Sequence, residues 1–174
     1  EDAIRATAEL IKKGIKVKLF LIGEGSRKYK TFLRRLIKEN SLGKHVCLCG
    51  YVSNPFPLMK EANALLVCSR NEAFGRVTVE GIKAGIPVIG ANSGGTSELI
   101  FDYHNGLLYD RGDYRMLASK IGYIYEHPEE AAQMGKNGQQ WAKKKFNIER
   151  FSTEMTTLFG QVLKKRAKKV DINE

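Results

Sequence analysis

The sequence predicts an α/β fold, a doubly wound parallel sheet with helices on both faces. Two observations carry this. Short apolar runs alternate with longer helix-period segments across residues 17–126, and no internal repeat or low-complexity linker interrupts them. In addition, four glycine-containing turns follow directly on predicted strands, so a parallel sheet gathers all four on its carboxyl edge, where ligands of open α/β sheets bind.

The elements follow in order. Residues 2–13 read as an amphipathic helix (Ile4, Ala8, Leu10, Ile11) that stops at Gly14. Residues 17–22 are a strand, 28–39 a helix, 46–48 a strand and 57–62 a short helix. Residues 64–68 (ALLVC) form a short, sharply bounded apolar run, which predicts a fully buried strand. Residues 76–84 then read as a helix, with Val77, Val79 and Ile82 among polar positions and Gly85 as its stop. Residues 87–90 supply the next strand, so that helix is a crossover between parallel neighbours. A short helix at 97–100, a strand at 107–109 and a helix at 114–126 capped by Asp113 complete the alternation. A helix started by Pro128 and a last one from Phe151 to about Lys168 close the chain. Leu117, Ile121, Ile124 and Met134 are predicted core residues, and Trp141, Phe146 and Phe151 packing anchors.

Composition bounds the class. A chain of 174 residues, 43% hydrophobic, buries one sizeable core and is most simply one domain. Cys47, Cys49 and Cys68 form no metal or disulfide spacing, and His45, His104 and His127 stand singly beside turns. No signal peptide or bilayer-length apolar run is present, and a cytoplasmic location is expected. The formal charge of +10 concentrates in a basic helix (RKYKTFLRRLIK, from Arg27) and a basic tail at 164–169. Solvated helix faces are the plain account of both. Attraction to an anionic membrane surface carrying a lipid-linked acceptor is the functional one, which would place the protein peripherally at the inner face. A nucleic-acid partner is not expected, because aromatic residues do not interleave the basic runs.

The chemistry centres on residues 69–99. The turn at 71–75 lies between a strand and a helix N-terminus, where unpaired N–H groups and the helix dipole suit an anion such as a diphosphate. Glu80, about one turn into the helix, can accept from the two hydroxyls of a ribose, and Glu72 sits in the turn itself. One acid for a ribose and one for a further polyhydroxylated group suggest a nucleotide-sugar.

The stretch resembles the E-x7-E signature of family 4, or group 1, retaining glycosyltransferases, which have the two-domain GT-B fold with Rossmann-like halves. Further landmarks follow in the family's order: Leu21-Ile22-Gly23-Glu24-Gly25, Gly50-Tyr51-Val52, Ala84-Gly85-Ile86-Pro87-Val88-Ile89, Gly94-Gly95-Thr96-Ser97-Glu98 and Asn105-Gly106-Leu107-Leu108. They match the C-terminal, donor-binding domain over nearly the whole chain. The resemblance implies retaining transfer of a sugar from a nucleoside diphosphate sugar to an acceptor, in polysaccharide or glycolipid synthesis. By it, Val52 backbone meets the base, beside Tyr51, and Glu80 holds the ribose. Glu72, the residue assigned to catalysis, bonds hydroxyls of the transferred sugar. The amides around Ala73, Phe74, Gly75 and Arg76 receive the diphosphate, Gly23 and Gly25 line the groove, and Gly94 and Gly95 border the sugar or acceptor, with Thr96 or Ser97 capping the helix that follows. No cofactor and no metal are expected, consistent with the lack of an Asp-x-Asp signature. The resemblance also implies a first strand upstream of the helix at 2–13 and an N-terminal acceptor domain, the missing partner of this segment. The segment alone is then expected to bind donor weakly and to transfer nothing, with Met155, Leu158, Phe159 and Val162 of the last helix exposed. A sugar-nucleotide epimerase of the same two-domain fold, and a non-catalytic nucleotide-binding module, are the alternatives.

Overall fold

Leucine, valine and isoleucine dominate the runs that become strands, and each strand is followed by a turn or loop that contains glycine, serine or asparagine. The computed structural model describes the backbone of residues 1–170 and the side chains of residues 1–164. Two units are distinguished, residues 1–139 and 140–174.

In the first unit the order is α1 (Asp2–Lys12), β1 (Leu19–Ile22), α2 (Arg27–Glu39), β2 (Val46–Gly50), α3 (Phe56–Glu61), β3 (Leu65–Val67), α4 (Arg76–Ala84), β4 (Val88–Ala91), α5 (Gly94–Leu99), β5 (Gly106–Tyr109) and α6 (Tyr114–Glu126). The predicted alternation is present, exact at the helices 76–84 and 114–126 and elsewhere displaced by up to three residues. The largest shift is in α5, which starts at Gly94 rather than residue 97. Asp113 caps α6 as expected, its carboxylate accepting from the N–H groups of Arg115 and Met116 at 3.0 and 2.9 Å.

All strand pairs are parallel, in two sets: β1 with β2, and β3–β4–β5. The pleat sends alternate β4 side chains to opposite faces. Ile89 and Ala91 join Leu107 and Tyr109 of β5 in a core closed by Ala6 and Leu10 of α1 and Leu117, Ala118 and Ile124 of α6. Val88 and Gly90 face α4 and α5, where Gly81, Thr96 and Ile100 press against them. Ile89, Val88, Leu107 and Leu117 are completely buried, each contributing roughly 1.5–3 kcal/mol by leaving water. A second core joins Ile4 and Ala8 of α1 to Leu36 and Ile37 of α2, Leu42 and Val46. Asp2 ties the start of α1 to the end of β5, its carboxylate accepting from the Tyr109 hydroxyl and the Gly112 N–H, both at 3.2 Å.

β3 departs from expectation. Leu65 and Leu66 are half-buried rather than fully buried. The reason is that only one edge of β3 is paired, with β4, while the other faces a cavity of about 600 Å³ whose opposite wall is β1. Phe20 and Ile22 of β1 are correspondingly 56% and 40% exposed.

α7 (Pro128–Lys145) starts at Pro128 as predicted and crosses from one unit into the next. In the second unit, Trp141 meets Phe146 edge-on with centroids 5.4 Å apart, and α8 (Ile148–Val170) follows. Phe151 is exposed and is not a packing anchor; it sits on an outward stripe with Leu158, Phe159 and Val162. The basic tail at 164–169 lies, beyond Lys164, outside the described side chains. Among the described residues no helix is long and apolar enough to cross a membrane.

Candidate functional site

Parallel pairing puts the turns after β1 and β2 side by side, and likewise those after β3 and β4, and residues of the turns after β1 and β3 line the one cavity between the two sets. The first two are tied together by the Gly23 N–H, which donates to the Gly50 carbonyl at 2.8 Å. Gly23 and Gly50 both have positive φ, 133° and 70°, a backbone shape that favours glycine. Tyr51 projects from the second turn and is 72% exposed, while Val52 behind it is half-buried.

The turn after β3 carries the anion-binding geometry. Gly75 is the N-cap of α4, with φ 89°, and the first intrahelical bond runs from the Val79 N–H to the Gly75 carbonyl at 3.0 Å. The N–H groups of Arg76, Val77 and Thr78 therefore precede the helical ladder and carry the positive end of the helix dipole. Glu72 folds back over this end, one carboxylate oxygen accepting from the Gly75 N–H at 3.3 Å. A carboxylate thus already rests where negative charge is favoured. Phe74 is 53% exposed, the Ala73 and Arg76 side chains face solvent, and Glu80 stands half-buried on the next turn of α4. The turn is braced from outside as well. The Arg70 carbonyl accepts from the Arg111 guanidinium at 2.9 Å and from the Ser93 hydroxyl at 3.4 Å.

Gly23, Gly25 and Glu72 line the cavity between β1 and β3, and so does Val77 of α4, which is 45% exposed. Two further lining residues escaped the sequence reading, Glu24 and Lys30, whose side chains form an ion pair. The Lys30 hydrogen bond and charge hold the Glu24 carboxyl below its ordinary range. The available signal was an acid between two rim glycines, six residues ahead of a lysine in the next helix.

Gly94 and Gly95 open α5 against the turn at 72–74, Gly94 exposed at the rim. Gly95 is buried beneath the turn at 72–74 and its N–H donates to the Glu72 carbonyl at 2.6 Å. Neither Thr96 nor Ser97 caps α5: the helix begins before them, Thr96 is buried against Gly90, and the Ser97 hydroxyl donates back to the Gly94 carbonyl. Among the described residues no group of three or more His, Cys, Asp or Glu side chains converges in a metal-like cluster.

The model of the family described as glycosyl transferases group 1 matches residues 1–141. An uncharacterized glycosyltransferase, MJ1178 of Methanocaldococcus jannaschii, is 34% identical over 134 residues, which is 76% of this chain and 37% of the relative. The N-acetyl-alpha-D-glucosaminyl L-malate synthase of Bacillus anthracis is 27% identical over 164 residues, 94% of this chain and 42% of the relative. The crystal structure of Anabaena Alr3699/HepE in complex with UDP superposes with a TM-score of 0.86 at 26% identity, over 92% of this chain and 44% of that one. The chain thus spans about two fifths of each of these proteins. A parallel sheet between helix layers, a carboxylate-flanked helix N-terminus on its carboxyl edge and a family match over four fifths of the sequence lead to one conclusion: this chain belongs to the group 1 glycosyl transferases.

Proposed function

We propose that this chain is the donor-binding domain of a retaining glycosyltransferase, which holds a nucleoside diphosphate sugar for transfer to a polysaccharide or glycolipid acceptor. The observation that carries the reading is the N-terminus of α4, with its unladdered amides between the carboxylates of Glu72 and Glu80. The diphosphate lies on the amides of residues 74–76, and the preorganised N–H groups stabilise the charge that develops on it as the glycosidic bond breaks. Glu80 accepts from the ribose hydroxyls. Glu72 leaves the Gly75 N–H to the phosphate and turns to hydroxyls of the sugar. The half-buried backbone at Val52 meets the base. No metal is required in this scheme, so chelator leaves nucleotide binding unchanged. The exposed basic face of α2 draws the domain to anionic lipid at the inner membrane face.

Calorimetry of the full-length protein against UDP, GDP, ADP and their sugars tests the reading. UDP, the nucleotide held by the Anabaena relative, is expected to bind. Glu80→Ala weakens binding of the nucleotide itself, whereas Glu72→Ala weakens the nucleotide-sugar more than the bare nucleotide. Binding of none of these at millimolar concentration refutes the proposal.

The cavity between β1 and β3 supports the companion reading that a parallel strand precedes α1, in a chain whose N-terminal domain binds the acceptor. The strand rise, inter-strand spacing and layer thickness allot about 160 Å³ to a strand residue. The cavity of about 600 Å³ thus holds a strand about as long as β1 or β3. A strand there, followed by α1 and then β1, makes an ordinary parallel crossover. An extended apolar peptide taken from the residues preceding Glu1 should raise the melting temperature of the 174-residue chain; no effect at saturating peptide rejects the strand.

A further inference from the structure

The turn that carries Glu72 is held from behind by backbone packed on backbone. A Cβ built on Gly95 would lie 2.6 Å from the Phe74 carbonyl oxygen, 2.7 Å from its carbon and 2.9 Å from the Ala73 oxygen. One built on Gly94 would lie 2.4 Å from the Glu72 oxygen and 3.1 Å from the Glu72 nitrogen. These neighbours are main-chain atoms, which cannot swing aside as the end of a side chain can. The contact is also bonded, through the Gly95 N–H and the Glu72 carbonyl at 2.6 Å. On its far side the α5 segment also packs closely, because a Cβ on Gly90 of β4 would lie 2.4 Å from the Thr96 methyl and 2.6 Å from the Ile100 terminal methyl. The start of α5 is therefore wedged between a completely buried strand and the turn, with no slack in either direction.

We infer that Gly94 and Gly95 are positioning residues: they form the template that sets the height and direction of the Glu72–Gly75 backbone, and through it the amides and carboxylate of the donor site. This rests on the donor-site reading. Gly95 is the sharper of the two. Gly94 has φ 53°, so its need for glycine mixes conformation with packing, whereas Gly95 has no positive φ and only the contact with the turn demands a missing side chain. A template of this kind acts without touching the ligand, and a substitution in it changes affinity by moving the turn.

The test uses Gly95→Ala in the full-length protein, with Gly122→Ala on α6 as control, where an added Cβ meets only Leu10 at 4.0 Å. In nucleotide-free protein, Gly95→Ala should shift the amide resonances of residues 72–77, and raise the Kd for UDP at least tenfold with the circular dichroism spectrum unchanged. Gly122→Ala should do neither. A folded Gly95→Ala protein whose turn amides coincide with those of the wild type overturns the inference. Should Gly95→Ala fail to fold, hydrogen exchange of the wild type decides. The Gly95 N–H is expected to exchange at least 100-fold more slowly than an open turn amide, and exchange at the open rate overturns the template. Failure of the wild type to bind UDP defeats the donor reading alone, since the nucleotide-free amide shifts report on the template independently.

Discussion

The two strand sets use their glycines in opposite ways. On the β3–β4–β5 side, glycine is required by what surrounds it: Cβ atoms on Gly75, Gly81, Gly90, Gly94, Gly95, Gly106 and Gly135 would all fall under 3 Å from a neighbouring atom. On the β1–β2 side, Cβ atoms on Gly14, Gly23 and Gly43 would meet nothing within 4 Å. The first wall is fixed by close packing, main chain on main chain at Gly94, Gly95, Gly106 and Gly135 and main chain on side chain at the others, and the second is held by a few hydrogen bonds and by the exposed Glu24–Lys30 pair. The comparison teaches that a closely packed turn can face a wall with room to adapt, an arrangement that would suit the proposed site by holding its constant part firmly while accommodating variable groups.

The largest separation between the walls is expected from paired glycine substitutions. Gly135→Ala puts a methyl group 2.1 Å from the Gly85 carbonyl oxygen and should cost about 1–3 kcal/mol, the usual penalty of overpacking, read as a lowered midpoint in urea. Gly43→Ala, in open space without a positive φ, should stay within about 0.5 kcal/mol of wild type. Equal losses at the two positions would break the comparison.

A smaller effect comes from titration, and its sign differs between the walls. Tyr109, buried under α1 and α6, has its phenol pushed above the ordinary value by that burial first and by Cys68 and Asp2 next. The folded state holds the neutral phenol, so its contribution to stability is complete below the ordinary tyrosine pKa of about 10 and declines as pH rises past it. Glu24 behaves in reverse. Lys30 holds its pKa below 4.5, so its contribution is present above that pH and fades as pH falls through the lowered value. The exposure of Glu24 keeps that acid effect small, and salt should screen it. Stability followed by urea midpoint across pH, with Tyr109→Phe and Lys30→Ala, assigns the two limbs. An alkaline limb that survives Tyr109→Phe unchanged would remove Tyr109 from this account.

Much of this molecule was legible in the sequence. Strand and helix order followed from apolar periodicity and glycine stops, the α6 cap from Asp113, and the helix N-terminus after β3 from its place between a strand and a helix. These are local properties, set by residues a few positions apart, and short-range sterics and hydrogen bonding determine them. Tertiary structure decided the rest. Leu65 and Leu66 read as fully buried, yet the strand edge beside them faces a cavity, because burial depends on what lies across the sheet. Gly94 and Gly95 read as rim residues, and the fold shows in addition that they pack main chain to main chain against the turn at 72–74. A glycine looks the same in sequence whether it makes room for a ligand, a strained turn or another main chain, and only the packing of α5 between β4 and residues 72–74 distinguishes them.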